Sequence, residues 1–152
     1  MRLNGFEPRF IALADEINRA MPRHVVSLVI DALNDRGKCL HGAAILVLGV
    51  TYKRDVNDVR ESPALEIIRM LADKGARLSY ADPFVPQLAV GELKLVSAPL
   101  TPETLRPSDC VVIATDHRAF DYAVIAREAP LVVDLRNALG EIRDHRDKIV
   151  ML

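Results

Sequence analysis

The sequence lacks an excess of charge of either sign, and it lacks long apolar runs. Lys and Arg number 20 against 21 Asp and Glu, which gives a formal net charge of −1. A nucleic-acid-binding domain usually carries a strong basic excess, so this balance argues against such a partner. No apolar run approaches the roughly 18 residues of a membrane span. The N-terminus, MRLNGFEPRF, also lacks the apolar core and cleavage site of a signal peptide. We therefore expect no membrane association.

Cysteine is scarce as well. Cys110 begins an apolar run, where it is most simply a small buried hydrophobe, and Cys39 lies in a loop. This usage predicts a reduced, cytoplasmic protein with no disulfide and no metal site. No Ser or Cys stands beside a His, and no pair of carboxylates has a spacing that suggests acid–base work. We therefore predict no catalytic residue in this chain.

Residues 7–36 have helical periodicity, with one apolar stripe on each side of Pro22. Pro22 is expected to break or kink the helix because it has no N–H and crowds the preceding turn. It could equally be the first residue of a second helix. Gly37 offers a left-handed cap at the end. We predict that residues 1–41 form a helical lead-in that docks on another surface or makes a dimer contact.

From residue 42 the pattern changes to apolar runs of strand length that alternate with helical segments. Ser62 can cap the first of these helices, with Pro63 as its first residue. Such alternation predicts right-handed βαβ units and an α/β, Rossmann-like open parallel sheet with helices on both faces. We expect the strand order 3-2-1-4-5-6, with the strands at 44–50, 77–82, 93–96, 110–115, 131–134 and 148–152.

Ligands of such sheets bind beyond the carboxyl ends of the strands, where the strand order reverses. A dinucleotide site of the usual kind needs G-x-G-x-x-G directly after the first strand. Here the positions 49–54 are GVTYKR, so Gly49 alone matches. We therefore expect no cofactor on this domain. Lys53 and Arg54 offer charge for a phosphate instead, and Arg60 lies near the start of the next helix.

A solvated loop of mixed charge is the alternative for residues 52–60, in which acidic side chains pair with Arg54 or Arg60. Similar alternatives hold at the other strand ends. Asp82 is expected to form a turn before Pro83, and His117 is expected to be structural. Further residues with a simple structural explanation are Asp134, as a cap after the fifth strand, and Arg136, as a surface cation.

Several motifs together resemble the C-terminal domain of the UDP-glucose/GDP-mannose dehydrogenase family. They are GVTYK at 49–53, DVRESP at 58–63, DP at 82–83, VIATD at 112–116, VDLRN at 133–137 and, in the lead-in, IN at 17–18 and MPR at 21–23. The resemblance implies a domain (42–152) that holds the nucleotide half of a UDP-sugar. Tyr52 would pack near the nucleotide sugar, Lys53 would contact phosphate or sugar oxygens, and Arg136 would contact the substrate from the fifth strand.

The family oxidises the C6 hydroxyl of a nucleotide sugar to a carboxylate in two NAD-dependent steps, through a cysteine thioester. The NAD-binding and central domains and the catalytic cysteine have no match here, so the resemblance implies a fragment that is inactive alone, with NAD in the full-length enzyme. A homo-oligomer is expected. Tyr52-Lys53 and Thr115-Asp116-His117 are closer to the UDP-N-acetylhexosamine branch. A stand-alone nucleotide-binding or regulatory module and a structural oligomerisation domain remain as alternatives.

Overall fold

The structure, a computed structural model, describes residues 9–152. Its helices and strands follow one another in chain order as α1 (Arg9–Asp35), β1 (Ala44–Leu48), α2 (Pro63–Asp73), β2 (Arg77–Ala81), β3 (Gln87–Val90), β4 (Leu93–Val96), α3 (Pro102–Leu105), β5 (Cys110–Ile113), α4 (Tyr122–Glu128), β6 (Val132–Asp134), a short 3-10 helix (Arg146–Lys148) and β7 (Ile149–Met151).

A five-stranded parallel sheet in the order β2-β1-β5-β6-β7 forms the centre of the molecule. Side chains on β1 alternate between its two faces, as the strand pleat requires. Ile45 and Val47 pack with α1 and α2, whereas Leu46 and Leu48 pack with α3 and α4. Each face is thus covered by helices, and the predicted Rossmann-like α/β class is confirmed.

The expected strand order is wrong at one edge of the sheet. The segment 93–96 forms β4 as predicted, but it pairs antiparallel with β3 in a separate two-stranded sheet instead of lying beside β2 in the main one. A parallel neighbour of β2 would need a crossover of about a dozen residues or more. The chain instead turns back on itself at Gly91 and Glu92, where Gly91 has a φ of 59°. The local hairpin therefore forms.

Helix α1 runs through Pro22 without a break, so the expectation that Pro22 ends one helix or starts another is wrong. Pro22 is buried, and the apolar residues that follow it are buried or half-buried in the core shared with the sheet and α2. This packing compensates for the lost hydrogen bond, which costs about 3 kcal/mol in an exposed helix. The helix ends with Gly37 in the expected left-handed conformation, and the Lys38 N–H donates to Leu33 O at 3.0 Å.

The two halves of α1 differ in their surroundings. Residues 9–20 are exposed along their whole length, whereas the second half belongs to the same apolar core as β1 and α2. The division of the chain at residue 41 stays a prediction. Within residues 9–152, the helices lack the combination of length and apolar character that a membrane crossing requires.

Candidate functional site

The loop between β1 and α2 lies over the carboxyl ends of the strands, and hydroxyl groups hold its two ends together. The Thr51 carbonyl accepts hydrogen bonds from Thr115 Oγ1 at 2.8 Å and from Ser62 Oγ at 3.2 Å. Ser62 Oγ also accepts from the Ala64 N–H, so the predicted helix cap is confirmed. Inside the loop, the Tyr52 N–H donates to Asp58 O at 2.7 Å. The loop is therefore a closed turn with a defined shape.

Gly49 allows this loop to cross close to β5. Its φ is 78°, in the left-handed region that favours glycine. A Cβ at this position would meet the backbone carbonyl of Thr115 and would lie 2.5 Å from the Thr115 Cβ. The glycine that resembles the start of a dinucleotide motif therefore has a packing role, because it brings the ends of two neighbouring strands together.

Asp82 and His117 form a buried pair beneath the loop. The Asp82 carboxylate accepts from the Val50 N–H at 2.8 Å and from the Phe84 N–H at 2.8 Å. The Phe84 contact is the turn that the sequence predicts before Pro83. The same carboxylate lies 2.9 Å from His117 Nε2. One acidic side chain thus joins the ends of β1, β2 and β5.

The second nitrogen of the His117 ring fixes its protonation pattern. Nδ1 accepts the Asp55 N–H at 2.9 Å, so the neutral ring carries its proton on Nε2 and donates it to Asp82. The side chain is fully buried between the rings of Phe84 and Phe120, at centroid distances of 4.9 and 5.4 Å. His117 is thus enclosed by the fold, as expected of a structural histidine, and its contacts also reach into the loop; its role stays a prediction.

Most cations around the loop are already paired with acids. The Arg60 guanidinium is within 3.0 Å of the Asp58 carboxylate, and this hydrogen bond lowers the pKa of Asp58. Other pairs at this edge of the sheet are Arg54 with Asp116 and Arg118 with Asp55. Asp58 thus pairs with Arg60 as expected, whereas Arg54 and Asp55 each take a partner from the loop after β5.

Arg136 follows β6, and the protein holds it at two points. Its N–H donates to Asp134 Oδ1 at 3.0 Å, and its Nε donates to the Ala114 carbonyl at 3.0 Å. Asp134 is fully buried and also accepts the N–H groups of Ala138 and Leu139. It therefore caps the chain after the strand, as the sequence predicts. The two terminal guanidinium nitrogens of Arg136 have no acidic partner among residues 9–152.

The three predicted substrate-binding residues lie at the same edge of the sheet but not around a single cavity. Tyr52 is 54% exposed and lines an open cavity of about 410 Å³ with Arg60 and its neighbours. Arg136 lines a second cavity, of about 370 Å³, together with Arg54 and Tyr122. Lys53 is exposed and lines neither of the two. Their assignment to a substrate stays a prediction.

Tyr122 is the member of the second cavity whose acidity is most affected by its surroundings. Burial, and then the nearby Asp116, raise the pKa of its phenol to about 12. Its hydroxyl donates to the His117 carbonyl at 2.6 Å. Tyr122 is thus a neutral donor at neutral pH and links α4 to the chain that follows β5.

Backbone strain also collects at this edge of the sheet. Left-handed φ values near 57° occur at Asp55, Glu61 and Asn137, none of which is glycine. Such conformations persist only where surrounding contacts hold them, and they are frequent at ligand sites. Two of the three lie in the loop after β1, and the third follows Arg136 directly.

Sequence reasoning missed the contacts that join these loops. Asp82 and His117 are 35 residues apart, and Arg54 and Asp116 are 62 apart. Their partners come together only when the sheet forms. A signal was present, since each residue lies in a segment that follows a strand ending at the same edge of the sheet. The described residues contain no group of His, Cys, Asp and Glu arranged as metal ligands.

The residues after β1 do not fit a dinucleotide in the usual way. That arrangement needs glycines at a tight turn that leads straight into a helix with free N–H groups. Here a long loop from Gly49 to Ser62 intervenes, and Ser62 Oγ already accepts the Ala64 N–H. Arg54 and Arg60 in this loop are paired with acids, and the expectation of an anionic ligand on the loop stays a prediction.

Sequence comparison with known proteins identifies the family of this chain. Residues 46–141 match the model of the UDP-glucose/GDP-mannose dehydrogenase family, UDP binding domain. The chain belongs to this family. The UDP-N-acetyl-D-mannosamine dehydrogenase of Methanococcus maripaludis (strain C7) is 38% identical over 114 residues, which cover 74% of this chain and 24% of that protein. The UDP-glucose 6-dehydrogenase of Rhizobium meliloti is 33% identical over 133 residues, covering 84% of this chain and 29% of that protein.

Solved structures agree on the fold. The UDP-D-ManNAc dehydrogenase of Pyrococcus horikoshii superposes with a TM-score of 0.77 at 24% identity, covering 97% of this chain and 34% of that one. This chain of the UDP-glucose/GDP-mannose dehydrogenase family therefore spans between 24% and 34% of the length of these relatives. The resemblance seen in the sequence motifs is confirmed, and the matched range contains Tyr52, Lys53 and Arg136.

Proposed function

We propose that this chain is the UDP-sugar-binding domain of an NAD-dependent nucleotide-sugar 6-dehydrogenase. The observation that carries the proposal is the match of residues 46–141 to the UDP binding domain of the family, a range that includes the loops at the carboxyl edge of the sheet. In this proposal, NAD and the catalytic cysteine belong to parts of a longer enzyme, and residues 42–152 hold the nucleotide half of the substrate.

The distribution of charge supports a diphosphate ligand. Arg54, Arg60 and Arg118 each contact a carboxylate, so much of their charge is used within the protein. Lys53 and Arg136 have no acid within ion-pair distance among residues 9–152. A UDP group carries its negative charge on two adjacent phosphates, and it would draw on the cations that remain available.

Arg136 is well suited to phosphate. Its Nε is occupied by Ala114 O, which fixes the plane of the guanidinium and leaves both terminal nitrogens for a ligand. A planar fork of this kind binds two phosphate oxygens at once, and less entropy is lost when the fork is already oriented. Lys53 would act as a flexible point charge, and the exposed ring of Tyr52 would pack on the sugar or the base.

Titration calorimetry with UDP tests this assignment. Lys53→Ala and Arg136→Ala should each weaken binding by about 1–3 kcal/mol, the usual strength of a charge-assisted hydrogen bond. UDP should be used at high concentration, because in the proposed full-length enzyme other domains would add contacts to a bound nucleotide sugar. We expect the titration curve to give a stoichiometry of one UDP per chain.

The control variant is Lys94→Ala, which removes an exposed cation from β4 in the separate two-stranded sheet. It should bind UDP like the unmodified chain. Arg136→Ala also loses the Nε bond to Ala114, so its urea stability must be measured in parallel. Unchanged affinity in both the Lys53 and Arg136 variants would contradict the site assignment. Absence of any binding heat would contradict the proposed function.

Two finer points belong to the same proposal. We expect no oxidation of a UDP-sugar by the purified chain with NAD, because the proposed catalytic groups lie elsewhere; NADH formation at 340 nm would contradict this.

The substrate is expected to be a UDP-N-acetylhexosamine, in agreement with the sequence at 115–117. Competition between UDP-N-acetylhexosamines and UDP-glucose, assayed on the full-length enzyme, distinguishes the two classes.

A second role is favoured by the exposed first half of α1. Phe10 is 87% exposed, and Ile11, Leu13 and Ile17 are each more than half exposed. Residues 9–20 carry Arg9 and Arg19 against Asp15 and Glu16, so a second copy of this segment would not be repelled. We propose that it forms a contact between copies of the chain. Sedimentation equilibrium should give a dimer that Ile17→Glu dissociates, and a monomer at high concentration would contradict the role.

A further inference from the structure

Two buried or half-buried hydrogen bonds connect the end of the edge strand β2 to the candidate site. Asp82, after β2, accepts from His117, after β5, and His117 accepts the Asp55 N–H in the loop after β1. Asp55 lies two residues beyond Lys53. The ring of His117 thus connects Asp82, at the end of β2, to the loop that carries the proposed ligand contacts.

We propose that His117, oriented by Asp82, is a positioning residue that sets the conformation of the Tyr52–Lys53 loop for ligand binding. The proposal rests on the proposed function for the identity of the ligand, but the contact between His117 and the loop can be tested without one. Neither residue would touch the ligand; both would act through the backbone at Asp55.

The conformation of Asp55 is the first argument. Its φ is 57°, in the left-handed region that is strained for an L-amino acid. Contacts must therefore hold it, and two are present. Its N–H donates to His117 Nδ1 at 2.9 Å, and its carboxylate accepts the Arg118 N–H at 3.0 Å. Loss of the first contact would leave the strained residue attached by its side chain alone.

The chemistry of the imidazole is the second argument. The site needs an acceptor toward the loop and a donor toward Asp82, on opposite sides of one buried ring. Neutral histidine provides both at once. The Thr51 hydroxyl, 3.3 Å from Nε2, is the other polar group beside the ring, and it donates its own proton to the Lys53 carbonyl at 2.8 Å.

Protonation of Nδ1 would change this arrangement. The charged groups that face the ring are Asp82 from the end of β2 and Asp55 from the loop, whose Oδ1 lies 3.8 Å from Nδ1. Asp55 is in turn paired with Arg118, and Tyr122 of α4 donates to the His117 carbonyl. A proton on Nδ1 replaces the acceptor with a donor, so the Asp55 N–H loses its partner.

Two substitutions separate the two functions of the ring. In His117→Asn, the amide oxygen takes the position of Nδ1 and can still accept the Asp55 N–H. In His117→Gln, the amide nitrogen reaches toward Asp82 in place of Nε2, but the acceptor for Asp55 is lost. We expect the Asn variant to keep UDP affinity within about threefold and the Gln variant to lose about tenfold, the equivalent of one net hydrogen bond.

Amide hydrogen exchange of the unliganded chain supplies a readout that is independent of UDP. The Asp55 amide should be protected in the unmodified protein and in the Asn variant, and exposed in the Gln variant. The Val50 amide, bonded to Asp82, serves as the internal reference. In the unmodified protein, ¹⁵N spectra should find the imidazole proton on Nε2.

The outcomes can be distinguished. A Gln variant that binds UDP normally and protects Asp55 would overturn the positioning role, as would a proton on Nδ1 in the unmodified protein. If the unmodified chain does not bind UDP, the proposed function fails, and the exchange data alone decide whether His117 holds the loop. If neither variant folds, the tautomer of His117 and the protection of the Asp55 amide in the unmodified protein still decide.

Discussion

Substitution of Gly49 by Ala tests how closely the loop after β1 must approach β5. Two separate costs should add at this position. An L-residue with a φ of 78° costs roughly 1–2 kcal/mol relative to glycine. The new methyl group would also lie 2.5 Å from the Thr115 Cβ and against the Thr115 backbone, which must shift. Forcing such a shift in a well-packed region costs about 1–3 kcal/mol.

The chain contains a matched control for the first cost. Gly42 has a φ of 80°, but a Cβ there would meet nothing within 4 Å. Gly42→Ala should therefore lose only the conformational part, roughly 1–2 kcal/mol. Gly49→Ala should lose about 2–5 kcal/mol in total. The difference between the two variants isolates the close approach to Thr115.

Urea unfolding, followed by circular dichroism, measures both variants against the unmodified chain. The expected result is a much lower midpoint for Gly49→Ala than for Gly42→Ala, with similar slopes. Equal destabilisation by the two substitutions would refute the argument, because it would mean that the loop can move away from β5 without cost.

Two further predictions concern single titratable groups. Burial raises the pKa of Cys110 to about 12, whereas Cys39 is exposed. A thiol reagent should therefore modify Cys39 rapidly and Cys110 only when the protein unfolds. Equal rates of modification at the two cysteines would contradict this. A hydrogen bond from Lys38, and then the Ala44 N–H, lower the pKa of Asp109. The contribution of Asp109 to stability should be complete above its pKa in the unfolded chain, 3.8, and should disappear as the pH falls through its lower pKa in the folded protein. The urea unfolding curves of Asp109→Asn and of the unmodified chain should therefore converge in acid.

The sequence was sufficient to predict the sheet and its helices because both are local patterns. An apolar run such as 44–48 is too short for a helix, and it lacks the alternation of apolar and polar residues that a strand with one solvent-exposed face shows. It therefore indicates a parallel strand buried on both faces. Ser62-Pro63 and Asp134 likewise act on their own neighbours in the chain. These contacts span a few residues, and the structure contains them as expected.

The errors arose where distant parts of the chain decide the outcome. Pro22 would end an isolated helix, but the core beneath it keeps α1 continuous. The hairpin of β3 and β4 had a local signal in Gly91, although whether β4 joins the main sheet depends on the path of the chain after β2. At the site, the pairing of Arg54 with Asp116 was not predictable from the loop, since acids nearer in sequence were available.

The course of α1 has a mechanical consequence. The helix is held by the core from Pro22 onward, and residues 9–21 extend beyond it for roughly 20 Å, at 1.5 Å per residue. Proline lacks the hydrogen bond that stiffens a helix, so bending is easiest at the point where the support begins. A bend of about 10° at Pro22 would displace the far end by roughly 3 Å. A small change of the bend angle at Pro22 therefore produces a large displacement at the N-terminal end of α1.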